Sequence, residues 1–156
     1  MDAGFEALGI TAGMDNVAKA KEQYNIMLFE QDMHFLPYPA DFFDAVVLIH
    51  TYEHAYAPTI LLGELYYILR PGGRIYVACP DAEDPNQHTI WHVNLKTEKQ
   101  IIDDFFYWGF KLVTLPVHQD TRDRYKFVFE KLPPAHEEFK NWNYLQHIYQ
   151  RRKAFS

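Results

Sequence analysis

The chain reads as short, dense apolar runs separated by stretches in which apolar residues recur three and four positions apart. The clearest run lies in residues 44–54, DAVVLIHTYEH, where Ala45, Val46, Val47, Leu48 and Ile49 follow one another without a polar break. That run is short for a helix and too uniformly apolar for a strand with one wet face, so it predicts a strand buried on both faces, as in a parallel sheet. Polar groups then arrive together as His50, Thr51, Tyr52, Glu53 and His54. In open α/β sheets that carboxyl edge is where ligands bind. Residues 10–14 and 26–29 are two further compact runs, followed by Asp15 and by Glu30, Gln31 and Asp32. Between them Asn16 is a suitable N-cap for a helix over residues 17–24 that stops at Asn25. Residues 2–8 have helical composition with Gly9 as a C′ stop, too short to stand alone.

Residues 33–43 form a loop with Pro37 and Pro39, in which Leu36, Tyr38 and Phe42 are expected to fold back onto the domain. Pro58 suits the first position of a helix carrying Ile60, Leu61, Glu64, Leu65, Ile68 and Leu69 at helical spacing, which Arg70, Pro71, Gly72 and Gly73 terminate. Residues 74–79 form another strand, stopped by Pro80 and Asp81. This alternation predicts a doubly wound parallel sheet with right-handed crossovers. Thr97 caps a helix running to Trp108, with Ile101, Ile102, Phe105 and Phe106 on its buried side and Gly109 closing it. Residues 111–117 and 125–131 are strands joined by a charged loop too short to hold a helix, so they must pair antiparallel. After Pro133 and Pro134, residues 135–152 form an amphipathic helix through Phe139, Trp142, Leu145, Ile148 and Tyr149. The organisation is thus an α/β domain over residues 1–132 and a C-terminal helix over residues 133–156 packed on it.

Composition narrows the function classes. A formal charge of -6, with Arg151, Arg152 and Lys153 as the one basic cluster, lacks the electrostatic footprint of a nucleic-acid binder. The single Cys79 excludes an internal disulfide framework and a Cys-rich zinc site. No signal peptide and no apolar run of about 18 residues is present, which predicts a cytoplasmic protein with no membrane partner. Aromatic residues make up 17% of the chain, so core and ligand site alike should be rich in rings, with Tyr52, Tyr56 and Trp91 facing a small planar or sugar-like substrate.

Several ordered motifs carry a resemblance. GMD at Asp15, EQDMHFLPYP at Asp32, FDAVVLIHTYEH, LLGELYYILRPGGRIYVACP and HVNLKTEKQIIDDFFYWGFKLV follow one another from about residue 5 to residue 131. Together with a parallel sheet finished by an antiparallel pair, they resemble the class I S-adenosylmethionine-dependent methyltransferases, a Rossmann-like α/β fold. The resemblance implies S-adenosylmethionine as cofactor, with Asp15 on the ribose hydroxyls, Asp32 facing the adenine amino group, Met33 packed on the adenine ring and His50 beside the methionine moiety. It implies in-line methyl transfer to a small-molecule acceptor, for which the protein mainly positions two reactants. His54 or His92 is the candidate base where the acceptor must lose a proton.

The pattern departs from that family in one respect. The first strand and its Gly-rich loop, which belong before the GMD strand, are missing, and Gly4, Gly9 and Gly13 lack the spacing to replace them. The expectation is a chain that begins at an internal Met, with poor cofactor affinity, and a homodimer in which a second copy covers Ile10, Val46 and Leu48. A non-catalytic binding or partner module is the alternative. His50, Glu53 and His54 also spell H-x-x-E-H, the inverted zinc-peptidase motif. That chemistry needs both imidazoles on one helical face, and Pro58 leaves little helix for it, so no metal is expected on His50 and His54.

Overall fold

The computed structural model describes residues 4, 6–114 and 125–133, and they divide between two compact units with a boundary at Pro37 and Tyr38. The first unit is a strand-helix-strand motif: β1 (Gly9–Thr11), α1 (Met14–Tyr24) and β2 (Leu28–Glu30). β1 and β2 pair in parallel, Gly9 opposite Leu28 and Thr11 opposite Glu30. Gly9 therefore lies in a strand and does not stop a helix, and residues 6–8 are not helical. A Cβ at Gly9 would stand 2.4 Å from Leu28 Cδ2, so the absent side chain is what lets the strands approach. Helix α1 begins earlier than the sequence predicts. Gly13 is its N-cap in an extended conformation, while Asn16 donates Nδ2 to Thr11 Oγ1 at 3.2 Å. Glycine is tolerated at an N-cap because it needs no particular side chain there. Asn25 ends the helix in the left-handed region at φ 53 and donates its N–H to Lys21 O at 3.1 Å.

The second unit contains β3 (Phe43–Ile49), α2 (Pro58–Ile68), β4 (Leu69–Cys79), α3 (Glu98–Tyr107), β5 (Phe110–Thr114) and β6 (Tyr125–Lys131). Its sheet has the order β3-β4-β6-β5, with β3 and β4 parallel and β6 antiparallel to both of its neighbours. The expected α/β class and terminal antiparallel pair are both present.

Strand β3 differs from expectation in its burial. Leu48 is buried at 6% exposure, whereas Val47 and Ile49 are 61% and 54% exposed. The apolar run has one wet face after all. Leu48 is not available for a second copy to cover, and Val46 is half-buried. β3 has β4 as its ladder partner and, among the described residues, none on its other edge.

Helix α2 stops at Ile68, and the Arg70-Pro71-Gly72-Gly73 stretch belongs to an irregular start of β4, where pairing jumps from Phe43 opposite Leu69 to Ala45 opposite Arg74. Gly72 takes φ 74, which favours glycine, and a Cβ on Gly73 would sit 2.8 Å from Arg70 O. Helix α3 opens with a capping box in which Thr97 and Gln100 satisfy each other's backbone N–H. Its buried face is Ile101 and Phe105, while Phe106 is 44% exposed. Phe105 stacks on Phe129 of β6 at 4.2 Å between centroids. The C-terminal helix expected over residues 135–152, the loop over 118–124 and the end of the strand expected over 111–117 lie outside the described residues.

Candidate functional site

The loop leaving β3 carries the densest polar chemistry. His50 ends the strand at φ 47, a left-handed conformation that His adopts more readily than most residues but that still costs about 1–3 kcal/mol. Its N–H donates to Ala78 O at 2.9 Å, which keeps it on the sheet, and Nδ1 donates to Glu53 Oε1 at 3.1 Å. A 3-10 turn, Tyr52–His54, follows. His50 thus lies outside any helix, and His50 and His54 do not share the helical face that a peptidase motif needs.

The turn is fastened from several sides. Tyr52 is buried and donates its hydroxyl to Asp104 Oδ2 at 2.8 Å, and Asp104 also pairs with Lys96. Burial above all, and then the Asp104 charge, pushes the Tyr52 phenol far above its ordinary value, so it stays protonated. Asn94 donates Nδ2 to Tyr52 O and its backbone N–H to Glu53 O, both at 2.9 Å. Glu53 is 1% exposed, and its Oε2 has no hydrogen-bond partner among the described residues. His54 places Nδ1 2.9 Å from Trp91 O, His92 places Nδ1 2.7 Å from Gln87 O, and the two rings lie 5.0 Å apart.

The structure brings His54 and His92 together with Glu53, which sequence spacing does not join to His92. It also recruits Asn94 and Asp104, which lie inside the motif HVNLKTEKQIIDDFFYWGFKLV but were given no role by it. Of the rings expected around a substrate, Tyr52 is a core residue, while Tyr56 and Trp91 are exposed at 64% and 72%. Leu36 is buried as expected, whereas Phe42 is 60% exposed.

In the first unit, Asp15 and Asp32 both follow the carboxyl ends of paired parallel strands. Asp15 is exposed in the first turn of α1, where an acid offsets the helix dipole. Asp32 accepts from His34 N at 2.9 Å and from His34 Nδ1 at 2.7 Å, which holds its carboxylate in a tight turn. Met33 is half-buried beside it.

A family model described as a methyltransferase domain matches residues 3–77. A SAM-dependent methyltransferase from Methanosarcina mazei superposes with a TM-score of 0.64 at 14% identity, over 80% of this chain and 81% of that one. The chain shares the fold of this methyltransferase, and its residues 3–77 resemble a methyltransferase domain. A second SAM-dependent methyltransferase, from Thermotoga maritima, matches the domain with a TM-score of 0.63 at 17% identity, over 81% of this chain and 72% of that one. The cyclase SpnF matches it with a TM-score of 0.65 at 18% identity, over 84% and 68%. No curated protein sequence matches the domain. Among the described residues, no helix is long and apolar enough to cross a membrane.

Proposed function

We propose that this domain binds S-adenosylmethionine and takes part in methyl transfer to a small-molecule acceptor. The observation that carries the reading is the placement of Asp15 and Asp32 just beyond the carboxyl ends of β1 and β2, which are hydrogen-bonded parallel neighbours. Fold likeness alone does not choose the reaction, since one neighbour of similar TM-score is named as a cyclase.

The residues fit one half of the cofactor. Asp15 would accept from ribose hydroxyls, Asp32, oriented by His34, would face the adenine amino group, and Met33 would pack on the ring. No Gly-rich cradle accompanies them among the described residues: Gly9 is used for strand packing and Gly13 for the start of α1. When bound, the cofactor supplies an electrophilic methyl group. The chain's own part is to orient the acceptor and, for a hydroxyl or amine, to take a proton at Nε2 of His54 or His92.

Calorimetric titration of the chain with S-adenosylhomocysteine tests this. Binding weaker than micromolar, less favourable than about -8 kcal/mol, is expected, and Asp15→Ala should weaken it further without unfolding the chain. Absence of heat up to millimolar ligand would remove the reading, and micromolar affinity would show that a Gly-rich loop is dispensable here.

Assembly as a homodimer belongs to the same proposal. It is supported by the edge of β3 that has no ladder partner among the described residues and by the exposure of Val47 and Ile49 on that strand. Light scattering after size exclusion should give twice the chain mass of 18.5 kDa, falling on dilution. A concentration-independent monomer would end it.

A further inference from the structure

Around the loop after β3, two imidazoles and a buried carboxylate lie close together. A backbone carbonyl only accepts, so the Nδ1 atoms that His54 and His92 turn to Trp91 O and Gln87 O are the protonated nitrogens. In the neutral form of either ring the lone pair is then on Nε2. Glu53 commits Oε1 to His50 Nδ1 and keeps a buried Oε2 with no partner among the described residues. One ligand atom from each of Glu53, His54 and His92 lies within 4.8 Å of the other two. Two imidazoles and a buried carboxylate with ligand atoms this close together make a set that one cation can bridge.

We propose that Glu53, His54 and His92 hold one divalent transition-metal cation. Two imidazoles and a carboxylate suit zinc or cobalt better than magnesium or calcium, which prefer all-oxygen sets. Ligand atoms about 2.0 Å from a tetrahedral zinc stand about 3.3 Å apart, so closing from the observed spacing takes a side-chain rotation of roughly an ångström. Both histidines are partly exposed and have room for it. The surrounding hydrogen bonds are those a metal site uses to fix its ligands: a carbonyl behind each imidazole and a donor on the carboxylate's other oxygen. His50 takes that outer role, so the ligand set is distinct from H-x-x-E-H. Three protein ligands leave one position open at the carboxyl end of β3, where water or a substrate oxygen could bind. The site needs no bound cofactor and stands whether or not the domain transfers methyl groups; a metal on both Nε2 atoms would replace the base role proposed for them.

The full chain, stripped with chelator and dialysed, is titrated with Co2+ and then with Zn2+. One equivalent of Co2+ should develop visible d–d absorption that Zn2+ abolishes by displacement. His54→Ala and His92→Ala should each weaken Co2+ binding at least tenfold. His88→Ala should not, since His88 Nε2 is bonded to Ala82 O at 2.8 Å and lies outside the cluster. Nitrogen NMR of the unmutated chain covers the case in which a variant misfolds: Zn2+ should shift Nε2 of His54 and His92 while Nδ1 of both stays protonated. No stoichiometric binding, or shifts confined to His50 or His88, would overturn the proposal. Imidazole signals that show a proton shared with Glu53 and no response to metal would do the same.

Discussion

Phe105→Ala is expected to lower the stability of the second unit by about 3–5 kcal/mol, the usual range for deleting a fully buried ring. Phe105 has 0% exposure, stacks on Phe129 with an interplanar angle of 10°, and lies 5.4 Å from the Tyr52 ring and 5.8 Å from that of Phe110. It joins α3, β6, β5 and the turn that carries Glu53 and His54. A cavity there removes apolar transfer energy and dispersion contacts together, and neighbours already in stacked geometry cannot collapse to fill it. Domains have only about 5–15 kcal/mol in total, so the loss is a large share. Urea denaturation followed by the fluorescence of buried Trp108 is the measurement, read as a fall in midpoint at unchanged slope. Phe106→Ala, next along the same helix but 44% exposed, should change stability by only about 0.5 kcal/mol. Equal effects at the two positions would mean that the helix face has been assigned wrongly.

That pair of phenylalanines also shows what the sequence could convey. Helical spacing identifies the apolar face of α3 but cannot separate two adjacent rings near its border, because the choice depends on where β6 lies. Alternation of strand and helix revealed the class of fold, and a loop too short for a helix revealed the antiparallel ending. Both follow from local chain geometry. Strand β3 misled because an unbroken apolar run describes what a strand could bury, whereas its actual burial depends on neighbours: with β4 as its sole ladder partner among the described residues, Val47 and Ile49 remain exposed. The candidate site was legible in part. His54 and His92 could be named as chemically able groups, yet nothing in their spacing placed one ring 5.0 Å from the other or set both Nδ1 atoms on carbonyls. The left-handed conformation of His50 was equally hidden, since it is imposed by the exit from the sheet.

Asp41→Asn should destabilise the second unit by about 2 kcal/mol at neutral pH, with the loss shrinking as pH rises. The partner is Lys131, at the end of β6 and 1% exposed. Its Nζ donates to Asp41 Oδ1 at 2.8 Å and to Leu69 O at 2.6 Å, and lies 4.5 Å from the centroid of the Tyr66 ring. Burial pulls the Lys131 pKa below its ordinary value, and Asp41 partly restores it. Between the folded and unfolded values the unfolded chain binds more protons, so stability rises with pH across that window; the penalty for burying the ammonium is fully present below the folded value. Removing the Asp41 charge lowers the folded value further and widens the window toward neutrality. Breaking a fully buried pair costs about 3–5 kcal/mol, but Asp41 is 34% exposed and Leu69 O and Tyr66 remain with the ammonium, which brings the figure down to about 2 kcal/mol. The substitution is sterically clean: Asp41 sits at φ 56, a conformation asparagine accepts, and its backbone N–H to Tyr67 O is retained. Urea midpoints of both chains at neutral pH and near the ordinary lysine pKa provide the check. A difference independent of pH would mean that the carboxylate acts through turn geometry and not through its charge on Lys131.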